Sequence, residues 1–218
     1  GVYDDAYAEA LEYAKATGAL FLHPFDDEDV IAGQATVGLE IIEQLPDVDV
    51  VIVPIGGGGL AAGVAFAVKT LKPGCRVYGV QAAGADSMRE SFRCNERVCA
   101  RSVSTFADGI AVRMPGVITY DMCSKYLDGI VSVSDDETAT AILSLIEKQK
   151  LVSEGAGAVA VAAAICGRIP IEGRRVCAVI SGGNIDVNIL SRVINRGLLN
   201  SGRLTKLTHP DSVFPIIW

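Results

Sequence analysis

Val48-Asp49-Val50-Val51-Ile52-Val53-Pro54-Ile55 runs directly into Gly56-Gly57-Gly58-Gly59-Leu60. The first part is a β-branched run with almost no polar alternation, the pattern of a strand buried on both faces of a parallel sheet. The glycines let the chain turn sharply with its N–H groups facing inward. An alanine-rich helix is predicted over 60–72. Its N-terminus adds unpaired donors and a partial positive charge, so a phosphate is the natural occupant of the corner.

Outward from this corner the same alternation repeats. Helices are predicted over 5–15 and from Asp26 or Asp27 to about 44, with a short apolar strand over 19–22 between them. Strands follow over 76–81, 130–133 and 175–180. Helices are expected over 87–93, 117–126, 155–166 and 188–199. Ser134-Asp135-Asp136-Glu137 fits a capping box opening a helix to about 150. Strand and helix in alternation specify an α/β fold, a doubly wound, mostly parallel sheet with helices on both faces and ligands at the carboxyl ends of the strands. Residues 1–206 form the α/β domain, and 207–218 are a tail with no regulatory domain visible.

Of 218 residues, half are apolar and 21% charged, which suits a folded α/β core. A net charge of −7 argues against nucleic acid as a partner. No apolar run is long enough for a membrane span, and no secretory leader begins the chain. The six cysteines form no C-x-x-C pair and the two histidines, His23 and His209, lie far apart. No zinc site is expected, and reduced thiols in a cytoplasmic protein are.

The loop sequence narrows the phosphate ligand. A nucleotide P-loop needs Lys and Ser or Thr after its last glycine, where this chain has Leu60 and Ala61. A dinucleotide fold fits Gly57-x-Gly59-x-x-Ala62 loosely, but it expects an acid at the end of the next strand, where Gln81 stands. A ligand-free glycine turn is the remaining alternative. Ser181-Gly182-Gly183-Asn184 follows another buried strand. Its serine fits a nucleophile, a ligand contact or a helix cap.

Together the motifs carry a resemblance. Val53 to Leu60, Ala107-Asp108-Gly109-Ile110, Glu154-Gly155-Ala156-Gly157-Ala158 and Ser181-Gly182-Gly183-Asn184-Ile185-Asp186 resemble the pyridoxal-phosphate (PLP) dependent threonine ammonia-lyases, also called threonine dehydratases, of fold type II. His23-Pro24-Phe25-Asp26-Asp27, with Ile31-Ala32-Gly33-Gln34 after it, is similar to the same family. The resemblance covers about residues 5–206.

It implies a tryptophan synthase β-like fold with pyridoxal 5'-phosphate as cofactor. Gly56, Gly57, Gly58 and Gly59, with the Leu60 N–H, would hold the phosphate. Ser181 would hydrogen-bond the pyridine nitrogen, Gly109 would line the cofactor face and Glu154 would sit near the ring. An Asp at Gly58 would then set a carboxylate against the phosphate. The implied reaction eliminates water and ammonia from L-threonine or L-serine, giving 2-oxobutyrate or pyruvate.

Two departures stand out. The family's Schiff-base lysine lies in an S-F-K-x-R-G type motif, and none of Lys15, Lys69, Lys72, Lys125, Lys148, Lys150 or Lys206 has that context. No catalytic residue is therefore assigned, and the lysine is expected from a missing N-terminal segment or a companion chain. Where relatives such as serine racemase carry cation-binding carboxylates, this chain has Gln81 and Ser87, so no metal is expected. Expected partners are an amino-acid substrate and further copies in a homo-oligomer. The alternatives are a non-catalytic binding module that keeps the phosphate loop, or another fold-type II PLP enzyme. An exposed Phe214-Pro215-Ile216-Ile217-Trp218 tail would be a hydrophobic patch.

Overall fold

The computed structural model describes residues 3–205, 207–209 and 212–214. In chain order the elements are α1 (Tyr3–Thr17), α2 (Glu28–Gln44), β1 (Val50–Pro54), α3 (Gly59–Leu71), β2 (Arg76–Ala82), α4 (Ser87–Cys94), α5 (Val117–Tyr126) and β3 (Gly129–Val133). Then come α6 (Asp135–Ser144), α7 (Gly155–Ile165), β4 (Val176–Ala178), α8 (Val187–Asn200) and a short antiparallel pair, β5 (Leu207–His209) and β6 (Ser212–Phe214).

The four main strands form one parallel sheet in the order β3-β2-β1-β4. The chain starts in the middle at β1, moves outward through β2 and β3, then crosses back to place β4 on the other side of β1. That reversal makes the crevice above the carboxyl ends of β1 and β4 the expected ligand position. β1 is buried at every residue. Alternate residues feed two cores: Val50 and Ile52 pack with α6 and α7, and Val51 and Val53 pack with α2 and α3. This is the physical content of a run without polar alternation.

Several sequence features act where expected. Asp27 caps α2, accepting from the N–H groups of Asp29 and Val30. Ser134 and Glu137 close a reciprocal capping box on α6. Although burial raises the Glu137 pKa, the Ser134 N–H and the Arg168 guanidinium outweigh it and hold the carboxyl below its ordinary range.

The expected strand over 19–22 is not a strand. It has no ladder partner, and Leu20 is 85% exposed, while Phe21 turns in against Tyr7 and His23. The helix expected to reach 150 is α-helical only to Ser144. It widens into one π turn, Leu145–Gln149, and ends on Lys150 in the left-handed conformation at φ 59°. β4 is shorter than expected, and the tail contains the β5–β6 pair. The side chains proposed as a hydrophobic patch, from Phe214 onward, lie outside the described residues. No described helix is long and apolar enough to cross a membrane.

α2 and α3 approach closely because small residues face each other. A Cβ on Gly63 would lie 2.5 Å from the Ile31 carbonyl, and one on Gly38 would lie 2.8 Å from the Val64 carbonyl. Backbone cannot yield as a side-chain tip can. We expect Gly63→Val to destabilise the protein by about 1–3 kcal/mol through overpacking, read as a lowered urea midpoint with unchanged slope.

Candidate active site

Above the carboxyl ends of β1 and β4 lies a cavity of about 460 Å³. Gly56, Gly57, Gly58, Gly59, Leu60, Gly109, Glu154 and Ser181 all line it, joined by Pro24, Phe25, Asp108 and Val112. Each site residue expected from sequence is therefore on the wall of one chamber. A larger cavity of about 660 Å³, with Asp49, Arg76 and Arg174 in its lining, lies at the opposite end of the sheet, where strands begin. The position of the reversal favours the carboxyl end.

The glycine corner is held from behind. Gly57 O accepts from the buried Thr119 hydroxyl at 2.7 Å and from Gly116 N at 3.4 Å. Gly58 O accepts from Ala62 N and from the Cys123 thiol. A trans peptide sets its carbonyl and N–H on opposite sides. Carbonyls drawn toward α5 therefore aim the N–H groups of Gly58 and Gly59 away from α5. Among the described residues, no acceptor takes the N–H of Gly56, Gly57, Gly58, Gly59 or Leu60. Orphaned donors at a helix N-terminus form an anion cradle.

The glycines also make room for the surrounding walls. A Cβ on Gly56 would stand 3.0 Å from Ile110 Cα, and one on Gly57 would collide with the Phe25 ring. Gly58 has φ 108°, and its Cβ would lie 2.8 Å from both Met88 Cε and Thr119 Cβ. A side chain at Gly58 thus enters the α4–α5 packing rather than the cavity. This corrects the expectation that an Asp there sets its carboxylate against a phosphate.

The opposite wall is the turn after β4. Gly182 O accepts from Glu154 N at 3.1 Å and from the Ser153 hydroxyl at 3.0 Å. The Glu154 carboxylate fits between Gly182 and Gly109; a Cβ on Gly109 would come within 3.3 Å of its Oε1. Asp186, not Ser181, caps α8, accepting from Asn188 N at 2.7 Å. His23 is not in the lining, which leaves a Ser181 nucleophile without a histidine base among the described residues.

Gln81 settles the dinucleotide alternative. Its side chain is fully buried, its Nε2 donates to Ala85 O at 3.2 Å, and its Oε1 accepts from Arg89 N at 2.8 Å. Both ends close the turn after β2, so neither reaches a ribose. No described lysine lines the cavity. Lys69 pairs with Asp128, Lys72 donates to Pro46 O, and Lys125 sits over the Tyr126 ring. Lys206 lies outside the described residues.

Sequence reading missed Phe25, which covers the corner, and Thr119, which aims it. His-Pro-Phe was visible as a motif, but nothing local ties it to residues 56–59. Thr119 carries no sequence signal; its partner is 62 positions away.

Residues 1–182 match the family model described as "Pyridoxal-phosphate dependent enzyme". The chain is 51% identical over 202 residues to an L-threonine ammonia-lyase of Thermotoga maritima, covering 93% of this chain and 50% of that protein. It is 46% identical to a catabolic L-threonine dehydratase of Escherichia coli, covering 88% and 59%. The processed form of threonine deaminase isoform 2 from Solanum lycopersicum superposes with a TM-score of 0.85 at 40% identity, covering 89% of this chain and 57% of that one. The chain thus spans about half the length of the curated relatives it matches.

Two outcomes check the geometry. We expect Gly58→Ala to destabilise by about 1–3 kcal/mol from backbone strain and crowding, and Gly58→Asp to cost more, because its carboxylate would be forced unpaired against buried Met88 and Thr119. Equal urea midpoints for the two variants would instead place the side chain in the cavity. Burial pushes the Cys123 thiol up to about 12. Iodoacetamide at about pH 8, below that value, should modify exposed Cys94 and Cys99 in the native protein and spare Cys123, as read by peptide mass spectrometry.

Proposed function

We propose, from the premise that this chain belongs to the pyridoxal-phosphate dependent enzyme family, that it forms the cofactor-holding part of an ammonia-lyase acting on L-threonine or L-serine. The single observation carrying this reading is the run of N–H groups from Gly56 to Leu60 that have no acceptor among the described residues, lining the same cavity as Ser181. The donor set fits a dianionic phosphate, and the walls fit a flat ring: Gly109 and Ala156 present no bulk, and Ser181 presents a hydroxyl.

Pyridoxal phosphate, when bound, supplies a carbonyl that captures the substrate amine and a ring that takes up electrons released at the α-carbon. The residues of this chain hold and tune. The glycine N–H groups and the α3 N-terminus bind the phosphate. Ser181, being neutral, would hydrogen-bond the ring nitrogen without forcing it to stay protonated, which would favour loss of a β-hydroxyl over transamination. Glu154, fixed between Gly109 and Gly182, would offer a carboxylate to the bound cofactor and help to orient it. The net change removes water across the α- and β-carbons, and hydrolysis of the released enamine then yields ammonia and the 2-oxo acid.

The proton-carrying amine is the remaining part. We assign it to a lysine in the portion of the protein outside this chain, because the relatives are about twice as long and no described lysine reaches the cavity. That same observation favours a second reading for the chain by itself, a binding module without chemistry. We further propose a homo-oligomer in a reducing cytoplasm. The apolar groove between α2, α3 and α5, lined by Leu39, Phe66, Leu71 and Met122, offers a surface for the first, and six free cysteines suit the second.

The deciding experiment adds PLP to the protein carrying this chain, then threonine. Visible cofactor absorption and stoichiometric 2-oxobutyrate and ammonia are expected; binding without product leaves the module, and no binding removes both readings. Ser181→Ala should lower kcat by about tenfold or more, equivalent to about 1.4 kcal/mol of barrier, with PLP affinity changed less.

A further inference from the structure

The segment 23–27 does more than connect two helices. His23 Nδ1 accepts two backbone N–H groups, Asp26 N at 2.8 Å and Phe25 N at 3.3 Å. It therefore serves as the hub of a tight turn. Its ring is wedged by Tyr7, Phe21 and Phe25, with centroids 5.5, 6.3 and 4.6 Å away.

The turn delivers two groups to the glycine corner from opposite directions. Phe25 is laid over Gly57 and Gly59; a Cβ on Gly59 would be 3.0 Å from the Phe25 Cβ and carbonyl oxygen. Asp26 reaches the N-terminus of α5, where its two oxygens accept from Val117 N at 2.8 Å and Thr119 N at 3.1 Å. The residue preceding α5 is Gly116, which has no side chain to cap with, and its missing Cβ is the space that Asp26 fills. Asp26 thus caps a helix 91 residues distant in sequence. The helix it fixes carries Thr119, whose hydroxyl holds Gly57 O.

The chain of contacts is continuous: His23 to Asp26, Asp26 to Thr119, Thr119 to the Gly57 carbonyl, and so to the direction of the Gly58 N–H on the far side of that peptide. We infer that His23 and Asp26 are positioning residues for the anion cradle, acting through the first turn of α5 and through Phe25. The inference rests on the proposed phosphate site and says what aims its donors.

The discriminating readout is the preference for PLP over pyridoxal, the same ring without the phosphate, in equilibrium titrations of the purified full-length protein. General loosening weakens both ligands together; misaimed phosphate donors weaken PLP alone. His23→Phe keeps the aromatic wedge and removes the acceptor. It should reduce the preference by about tenfold or more, the scale of one charge-assisted hydrogen bond. His23→Asn, which restores a side-chain acceptor, should recover most of it. Asp26→Asn keeps size and one acceptor, and should fall between; it carries the experiment should His23→Phe not fold. A preference retained in His23→Phe and Asp26→Asn overturns the positioning role alone. No preference in the unmutated protein overturns the phosphate site and this inference with it.

Discussion

The direction of two peptide units governs this site. Between Gly57 and Gly59 the carbonyls point toward α5 and the N–H groups point away, and Thr119 and Cys123 hold them so. A peptide is rigid about its C–N bond, so a hydrogen bond on one side fixes the donor on the other. The strand brings the corner to the carboxyl end of the sheet and the helix adds its N-terminal field. Neither would define an anion site if the peptides were free to rotate, as glycine peptides otherwise are. Conformational freedom is what allows this geometry, and packing from α5 and Phe25 is what selects it.

The same logic explains why the site needs glycine on both walls. Gly57 admits a ring, Gly58 adopts a left-handed turn against packed side chains, and Gly109 and Gly182 admit the Glu154 carboxylate. Each is a place where something else must approach closely. α7 follows the pattern, its Gly157 packed on the Gly182 backbone. Ser153 and Glu154 grip the same carbonyl, so the turn carrying Ser181 is tied to the start of α7. The two walls are thus each braced by a neighbouring helix, which is how a chamber between loops keeps its shape.

Much of this was legible in the sequence because it is local. Strand β1, helix α5 and the Ser134–Glu137 box follow from periodicity and capping chemistry within a few residues. The glycine corner at 56–59 was legible as a phosphate-type turn because it follows a buried strand and opens a helix, whereas Gly109, Glu154 and the ring contact at Ser181 rested on the resemblance alone; all eight line one cavity. The failures are equally physical. Residues 19–22 have strand composition but no neighbour to pair with, and a strand exists only as part of a ladder. The π turn at 145–149 and the left-handed Lys150 depend on where α6 meets its surroundings, which no local pattern encodes. Thr119 and Asp26 were invisible because their partners lie 62 and 91–93 positions away.

Gln81 shows how a single residue type decides between ligands. It sits at the end of β2, one strand over from the glycine corner, where a carboxylate would reach for a sugar hydroxyl or a cation. An amide has both a donor and an acceptor, so it can satisfy itself on two backbone groups, Ala85 O and Arg89 N. A buried carboxylate in that place would face the Ala85 carbonyl with no donor between them, a costly opposition of two acceptors. The amide removes that cost and also fixes the start of α4, which carries Met88. Met88 is one of the two side chains that Gly58 would strike if it had a Cβ. The amide that is turned onto the backbone after β2 therefore also helps to set the packing behind the glycine corner.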